Sequence, residues 1–483
     1  MRTITQLIGV CRMIITEIQV KFKEIERTVQ RECFEIGREA LRGVLEEWDR
    51  YIMHSREKET YRHVGTKPTT IKTVIGEVQY SRVQYEYIDD DGGKSYVFLL
   101  DEAMGISGSG HFSDLLVDMI VQSSCASPYR EAARTVSDMT GQTISHTAAW
   151  SVVQTVGKQV DEQERCAAGL AAEDKGAGTI EARVLFEEQD GISLSLQGKS
   201  RKEHGERKEM KVAIAYDGAE KKGKSRYILT NKVASASFEE VANFARRKEG
   251  VIAGVYNVDE IEMRFLNGDG ASWIKHALVD ETVHFQLDTF HRNEAVTTYV
   301  GDPDTRKRIM KLLYSKDIDL LLHVIEVEAA STEDEKQREN YMKLHAYFKN
   351  NRDGLVSYHR RGLDIPEPPE GKVYRRMGAM ESNIFTIIGN RMKGGRANWS
   401  IDGGENLARL LCLKFTGRLR GILDNLSATV LPERYAEEIM APMSAAKTPQ
   451  HEGKGYNGFH QALIPSTQKW LKDIAAIKPV FSF

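Results

Sequence analysis

The sequence predicts an α/β protein: a mixed strand-and-helix core in the middle of the chain, with helical and small-sheet segments before it. Three observations point there. Apolar residues recur every three or four positions over residues 4–48, the period of one helix face. After Pro68 the chain becomes rich in Val, Ile, Thr and Tyr, the composition of a pleated surface. Between Ile180 and Leu287 short strand-like runs alternate with helical ones. A length of 483 residues is more than one core accommodates, and points to about three domains of ~100–200 residues each.

Composition excludes several classes. Hydrophobic residues are 41% and charged residues 28%, and 67 Lys+Arg stand against 70 Asp+Glu for a formal charge of −3. That rules out a uniformly basic coat but leaves room for a local basic face. No apolar run approaches the ~18 residues of a membrane helix. The apolar positions from Ile4 to Ile18 are broken by Arg12 and Glu17, so the start does not read as a signal peptide. The cysteines Cys11, Cys33, Cys125, Cys166 and Cys412 form no close pair, which argues against a disulfide framework or a cysteine zinc site. The expected setting is a reducing cytoplasm with no membrane partner.

In chain order, the stripe Ile4, Ile8, Cys11, Ile15, Ile18, Phe22, Ile25, Val29, Cys33, Ile36 fits a long helix. It serves equally a helix packed on its own protein and a coiled-coil contact between copies. Thr69–Ile88, with Gly76 inside it, and Ser95–Leu100 after Asp91-Gly92-Gly93 predict a small antiparallel sheet. Asp89-Asp90-Asp91-Gly92 reads as a turn, because its spacing is wrong for a calcium loop. Tyr129–Met139, Thr140-Gly141-Gln142 and Thr143–Val156 have the outline of a helix-turn-helix, an outline any helical hairpin shares. Glu173–Thr179 reads as a linker.

The core pattern is three strands, helix, strand, helix, strand. Arg183–Asp190 with Ile192–Leu196, Met210–Tyr216 and Arg226–Thr230 read as strands; Phe238–Arg247 as helix; Glu262–Leu266 as strand; Ser272–Val279 as helix; Val283–Leu287 as strand. Residues 300–365 read as an acidic helical block, stopped by Pro366-Glu367-Pro368-Pro369. Residues 372–420 then carry ten Lys/Arg against three acids.

The chemistry-bearing residues are carboxylates. Asp190 lies in the first core strand before Gly191, and Asp269 follows the fourth between Gly268 and Gly270. A carboxylate beside glycines is closely approachable. Taken singly, each Asp-Gly reads as a turn; on neighbouring strands of one unit the two suit hard cations, which take oxygen ligands. A third acid is expected from a helix. Glu381 is the best placed, opening a stretch with the apolar stripe Ile384, Ile387 and Ile388. Glu405, in Gly403-Gly404-Glu405-Asn406, is its competitor.

These residues carry a resemblance. Asp190, Asp269 and Glu381 resemble the DDE triad of an insertion-sequence transposase, and the chain is similar to the ISLre-type transposases, once catalogued as an uncharacterised protein family and related to the Mutator-like group. The passages that match are Gln189-Asp190-Gly191 with Gln197, Asn267-Gly268-Asp269-Gly270-Ala271-Ser272-Trp273-Ile274, Leu287-Asp288-Thr289-Phe290-His291, Glu381-Ser382-Asn383, and Asn390-Arg391-Met392-Lys393 to Ala397-Asn398-Trp399-Ser400. The Thr73–Tyr85 sheet and Phe98-Leu99-Leu100-Asp101-Glu102 fit as well.

The resemblance implies an RNase H-like catalytic core at 180–299 and 371–425, with an all-helical insertion at 300–370. Before it come a helical N-terminal or oligomerisation segment at 1–60, a sheet at 61–105 and a DNA-binding, helix-turn-helix-like domain at 106–175; a tail at 426–483 follows. It implies two Mg²⁺ ions, replaceable by Mn²⁺, held by Asp190, Asp269 and Glu381, with His291 and Asp288 in support. The expected activity is cleavage of element ends and strand transfer into target DNA by two-metal catalysis, in a homodimer or higher oligomer on double-stranded DNA, at the nucleoid. Arg391, Lys393 and Arg396 are expected on phosphates, Trp399 on a splayed base. The loop Gly198–Lys224, with nine Lys/Arg against five acids, reads as a DNA track or as a solvated loop. Competing readings are a metal-dependent nuclease or resolvase on the same core and a non-catalytic, transposon-derived DNA-binding regulator. A two-carboxylate glycosidase is disfavoured, because aromatics are 8% of the chain and form no sugar-binding clusters.

Overall fold

The structure is a computed structural model that describes residues 21–105, 112–173, 176, 178–275 and 282–426. The first part of the N-terminal stripe, Ile4 to Ile18 with Cys11, lies outside the described residues, as do the end of the expected helix 272–279 and the tail beyond 426. The protein is mixed α/β and forms two compact units. One holds the chain up to Ile120 together with Arg130–His146; the other holds Val121–Tyr129 and Thr147–Leu423.

In the first unit, helix α1 (Phe22–Ser55) is built from Glu, Arg and Leu, all good helix formers. Strands β1 (Arg62–Thr73), β2 (Gly76–Ile88) and β3 (Lys94–Val97) form an antiparallel sheet in that order. Thr73 faces Gly76 across the β1–β2 turn, where Gly76 has φ 119°, a conformation that favours glycine. The strand starts before Pro68, earlier than the residue types suggest. Proline is accepted there because β1 is an edge strand. Leu45, Ile71, Val78, Tyr80 and Leu100 make the core. Asp49 is buried within α1, and its Oδ2 accepts the Val83 N–H at 2.9 Å; burial pushes this carboxyl up to about 6.

The run expected as strand to Leu100 stops at Val97, and Leu99–Ala103 is helix α2. Helices α3 (Asp114–Ala126), α4 (Tyr129–Thr140) and α5 (His146–Ala172) follow. Gly141, at φ 67°, ends α4 in the left-handed conformation common after a helix. The Ser137 hydroxyl accepts the Ile144 N–H at 2.9 Å. The sequence around this turn thus gives two helices joined by a short connection, with the second starting at His146 rather than Thr143.

The second unit is organised by a five-stranded sheet of order β10-β9-β4-β5-β8. Its strands are β4 (Val184–Ser195), β5 (Arg207–Tyr216), β8 (Val233–Ser237), β9 (Met263–Gly268) and β10 (Val283–Leu287). β4 pairs antiparallel with β5 and parallel with β9; β5–β8 is antiparallel and β9–β10 parallel. Three expectations change. The runs on either side of Gly191 are one continuous strand. Arg226–Leu229 (β7) is not in this sheet but in a small one with β6 (Ala219–Lys222) and β11 (Lys372–Val373). The third core strand is β8, Val-Ala-Ser-Ala-Ser, buried at all five positions; its small residues carry no strand signature. The segment 198–224 is helix α6 (Gly198–His204) and strands, not a loop.

Helix α7 (Val241–Ala253) links β8 to β9. The helical block consists of α10 (Pro303–Leu313), α11 (Ile318–Ser331) and α12 (Glu335–Asn350), preceded by α8 (Ser272–Lys275) and α9 (Thr289–Tyr299). Part of its acidity is capping: Asp302, Asp317 and Asp334 each accept backbone N–H groups at the starts of α10, α11 and α12. Ile309, Leu321, Ile325, Leu344 and Phe348 of the block pack with Leu266, Phe285 and Leu287 of β9 and β10. The chain returns through α13 (Met380–Ile384), a π-helical turn at Phe385–Gly389, α14 (Asn390–Met392), α15 (Ile401–Phe415) and α16 (Leu419–Leu426). Among the described residues no helix is long and apolar enough to cross a membrane.

Candidate functional site

Asp190 is not at a strand end. β4 continues to Ser195, paired with β5, but its other neighbour β9 stops at Gly268. Glu188 is the partner of Asn267. Two residues further on come Asp190, still within β4, and Asp269, just past the end of β9. The end of β9 therefore opens a half-buried notch beside Asp190. Gly191 leaves room next to it for the Glu209 carboxylate arriving from β5, which a side chain there would push aside.

Asp190, His291 and Glu381 converge in this notch, each offering a ligand atom within 4.8 Å of the others. His291 Nε2 lies 3.8 Å from Asp190 Oδ2 and 3.4 Å from Glu381 Oε1. Its Nδ1 faces Glu294 at 3.6 Å. Asp269 stands outside this set: its Oδ1 accepts the Ala271 N–H at 2.8 Å, and its main-chain oxygen accepts the Tyr347 hydroxyl at 2.8 Å. The expected grouping of Asp190, Asp269 and Glu381 thus reads, in this geometry, as Asp190, His291 and Glu381 with Asp269 close by.

Electrostatics follow from the crowding. The Asp190 carboxylate beside it, aided by the charges of Asp288 and Asp269, raises the His291 imidazole to about 9. Burial and the Asp190 charge raise Glu381. Burial, with the charges of Asp269 and Asp190, raises Glu209, although Lys211 opposes it. Like charges at short range disfavour ionisation, which adds to burial in pushing Glu381 and Glu209 upward.

Asp288 caps α9: its Oδ1 accepts the N–H groups of Phe290 at 2.8 Å and His291 at 3.3 Å. Glu405 is turned away. Its Oε1 accepts from Ser237 Oγ at 2.7 Å and the Phe238 N–H at 2.8 Å, and its Oε2 pairs with Arg409.

The expected DNA contacts divide. Lys393 and Arg396 are exposed. Arg391 is half-buried, donates to the Ser124 main-chain oxygen at 2.8 Å, and lies over the rings of Tyr129 and Trp399. Trp399 is 7% exposed and its indole donates to Met392 O at 2.9 Å, so its faces are not open to a base. Sequence reasoning did not single out Glu188, Asn267 or Glu209. Their signal is only the strand alternation that puts Glu188 on the face of Asp190 and Asn267 on the face of Asp269.

A UPF0236 protein of Caldanaerobacter subterraneus subsp. tengcongensis is 24% identical over 409 residues, covering 82% of this chain and 77% of the relative. Another from that organism, whose name joins a string of locus labels, is 24% identical over 411 residues, covering 82% and 77%. The "UPF0236 protein in vanSb 3'region" of Streptococcus gallolyticus is 22% identical over 483 residues, covering 95% of this chain and 100% of the relative. Among solved structures, the Drosophila P element transposase strand transfer complex aligns at 11% identity and a TM-score of 0.21, covering 75% of this chain and 92% of the other. The family model for the uncharacterised protein family UPF0236 matches residues 15–424, and the chain belongs to that family.

Proposed function

We propose that this protein is a DDE-type transposase, using divalent metal ions to cut the ends of a mobile DNA element and join them to target DNA. The observation that carries the reading is the meeting of Asp190, His291 and Glu381 from three distant segments, with Asp269 at the end of the adjoining strand. Sheet order supports an RNase H-like core: three antiparallel-linked strands, β4, β5 and β8, then two strands, β9 and β10, added parallel to β4. The helical block between β10 and α13 stands where the resembled family carries its insertion. The name of one relative joins many locus labels, the pattern a gene repeated within a genome leaves.

The donor set fits magnesium or manganese. Asp190 and Glu381 bring hard carboxylate oxygens to the notch beside the His291 imidazole, Asp269 stands close by to add another, and few are needed when substrate phosphates complete the shell. Bound divalent ions would activate the attacking oxygen and stabilise the leaving one. The chain's own part is to hold those carboxylates in place, to keep His291 between Asp190 and Glu381, and to face DNA with cations. Exposed Lys393 and Arg396 serve phosphates. Phe290 and Phe385, 54% and 61% exposed beside His291 and one turn past Glu381, take over the base-stacking surface that buried Trp399 does not offer. The α4–α5 hairpin is the element-end reader in this reading.

The test is end cleavage and strand joining on oligonucleotides carrying the element's termini, with Mg²⁺. Cleavage that needs Asp190, Asp269 and Glu381, followed by joining, supports a transposase. Cleavage without joining would leave a nuclease on the same core. DNA binding with no metal-dependent chemistry would leave a regulator.

A further inference from the structure

Beneath the notch lies a buried row of polar groups that touches none of the expected ligand atoms. Glu188, on β4, is fully buried. One oxygen, Oε2, accepts the N–H groups of Gly378 at 3.0 Å, Ala379 at 2.9 Å and Met380 at 3.1 Å. Those three residues lead into α13, the helix that carries Glu381. The same oxygen accepts Asn267 Nδ2 at 3.1 Å, and Oε1 accepts the Tyr216 hydroxyl at 2.7 Å. Asn267 Nδ2 also donates to Asp288 Oδ2 at 2.7 Å, and Asp288 caps the helix that carries His291.

The first N–H groups of a helix have no partner within it. A side chain must supply one, and usually a residue just before the helix does so. Here the cap comes from about 190 positions earlier in the chain, out of the strand that bears Asp190. A helix start at the end of a long insertion has no local reason to sit at one height above the sheet. Bonding its first amides to Glu188 fixes that height relative to Asp190, two residues along the same strand.

We propose that Glu188, with Asn267 as its link to Asp288, is the positioning residue that sets Glu381 against Asp190 and His291. This rests on the metal-site reading of the notch, but concerns a residue outside that site. Glu188 acts through the α13 backbone and holds no ion or substrate itself.

Two variants separate its parts. Glu188→Leu keeps the volume and removes the acceptor. Glu188→Gln keeps an oxygen for the three amides, while the Tyr216 hydroxyl turns to accept from the new amide. Hydrogen exchange on the full chain reads the cap directly. In the wild type the Gly378, Ala379 and Met380 amides should exchange slowly although they open a helix. In Glu188→Leu their protection should fall at least about tenfold, and Glu188→Gln should restore most of it. Mn²⁺ titration, followed by the electron paramagnetic resonance of the free ion, reads the consequence. Affinity should fall roughly 10–100-fold in Glu188→Leu, the usual effect of losing an outer-shell partner. Adding Glu188→Leu to Glu381→Gln should weaken binding no further.

Fast exchange at 378–380 in the wild type overturns the proposal even if the Leu variant does not fold. So does unchanged protection in a folded Glu188→Leu, or a full further loss of Mn²⁺ affinity in the double variant. A wild type that protects these amides but binds no Mn²⁺ under the control of Asp190 and Glu381 defeats the metal-site reading and leaves the cap standing.

Discussion

The second unit holds two acidic clusters that are resolved in opposite ways. In one, Asp161 and Glu164 of α5, Glu239 after β8 and Glu405 of α15 surround Arg247 and Arg409, both 4% exposed. Arg247 pairs with Asp161, Glu164 and Glu239 at 2.8 Å each, and Arg409 with Asp161 at 2.9 Å and Glu405 at 3.1 Å. Burial works to raise Asp161, Glu164 and Glu239; the arginines hold Asp161 and Glu239 below their ordinary values, while for the most deeply buried, Glu164, burial outweighs them. In the notch, Asp190, Glu381 and Glu209 pair with no guanidinium among the described residues, and Glu381 and Glu209 are raised. Among the described residues the ion pairs of Asp190 and Glu381 are both with His291. The first cluster is complete and ties three helices together. The second is short of positive charge at the place where the strands open, which is the arrangement that suits a cation from outside.

The comparison breaks most sharply on single substitutions. Asp190→Asn or Glu381→Gln should reduce Mg²⁺-dependent DNA cleavage by orders of magnitude while the melting temperature changes little, because the repulsion relieved and the His291 ion pair lost oppose each other. DNA affinity should persist, since it comes from Lys and Arg on phosphates. Cleavage assays beside thermal melts decide it; an active Asp190→Asn enzyme would end the metal-site reading.

The Arg cluster should behave inversely. Arg247→Met leaves three half-buried carboxylates around a buried site short of a partner. Breaking a buried pair in this way costs about 3–5 kcal/mol, visible in denaturant unfolding. A loss below about 1 kcal/mol would mean that the cluster is not the structural tie its geometry suggests.

Metal should add stability to one cluster only. Mn²⁺ at a hundred times its dissociation constant should stabilise the protein by about 2.7 kcal/mol through mass action. Glu381→Gln should remove most of that gain; Glu405→Gln should lower stability but leave the gain in place, because Glu405 is committed to Arg409 and Phe238. Thermal melts with and without Mn²⁺ in both variants test it.

Much of this arrangement was legible in the sequence, for specific reasons. Asp190, Asp269 and Glu381 stand out because glycines or a helix start make them approachable, and the helical block shows in its period and its proline stop. Strand β8 was hidden because Val233–Ser237 is made of small residues whose burial depends on tertiary context. The strand Arg226–Leu229 looked like core because its residue types are right, yet its partners are β6 and β11. Trp399 and Arg391 lie in a basic, polar stretch but are taken up by packing against each other, which no local pattern reveals. Glu188 was invisible as a cap because its helix lies about 190 residues away. Glu381 stands ahead of Glu405 in the sequence by the apolar stripe that follows it; the physical difference, Glu405 bound to Arg409 and Glu381 facing His291, exists only in three dimensions.

The smallest effect concerns His291. Without metal its imidazole is raised to about 9, first by the Asp190 carboxylate beside it, so at neutral pH it stands in the notch as a cation. A group whose folded pKa is raised stabilises the fold fully below its unfolded pKa, near 6.5, and that contribution is lost as pH climbs through about 9. Chelated protein should therefore lose a little stability between pH 6.5 and 9, and His291→Asn should remove that slope and be less stable at the acid end. The half-exposed Glu381 partner keeps the effect small. With Mn²⁺ the sign turns. A cation in the notch competes with the imidazolium, so Mn²⁺ affinity should rise across the same interval as the proton leaves. Melts in chelator and Mn²⁺ titrations over pH, for the wild type and His291→Asn, measure both slopes. A wild type with a flat stability profile in chelator would show that His291 is not the cation of the notch, and would leave the shortage of positive charge there larger still.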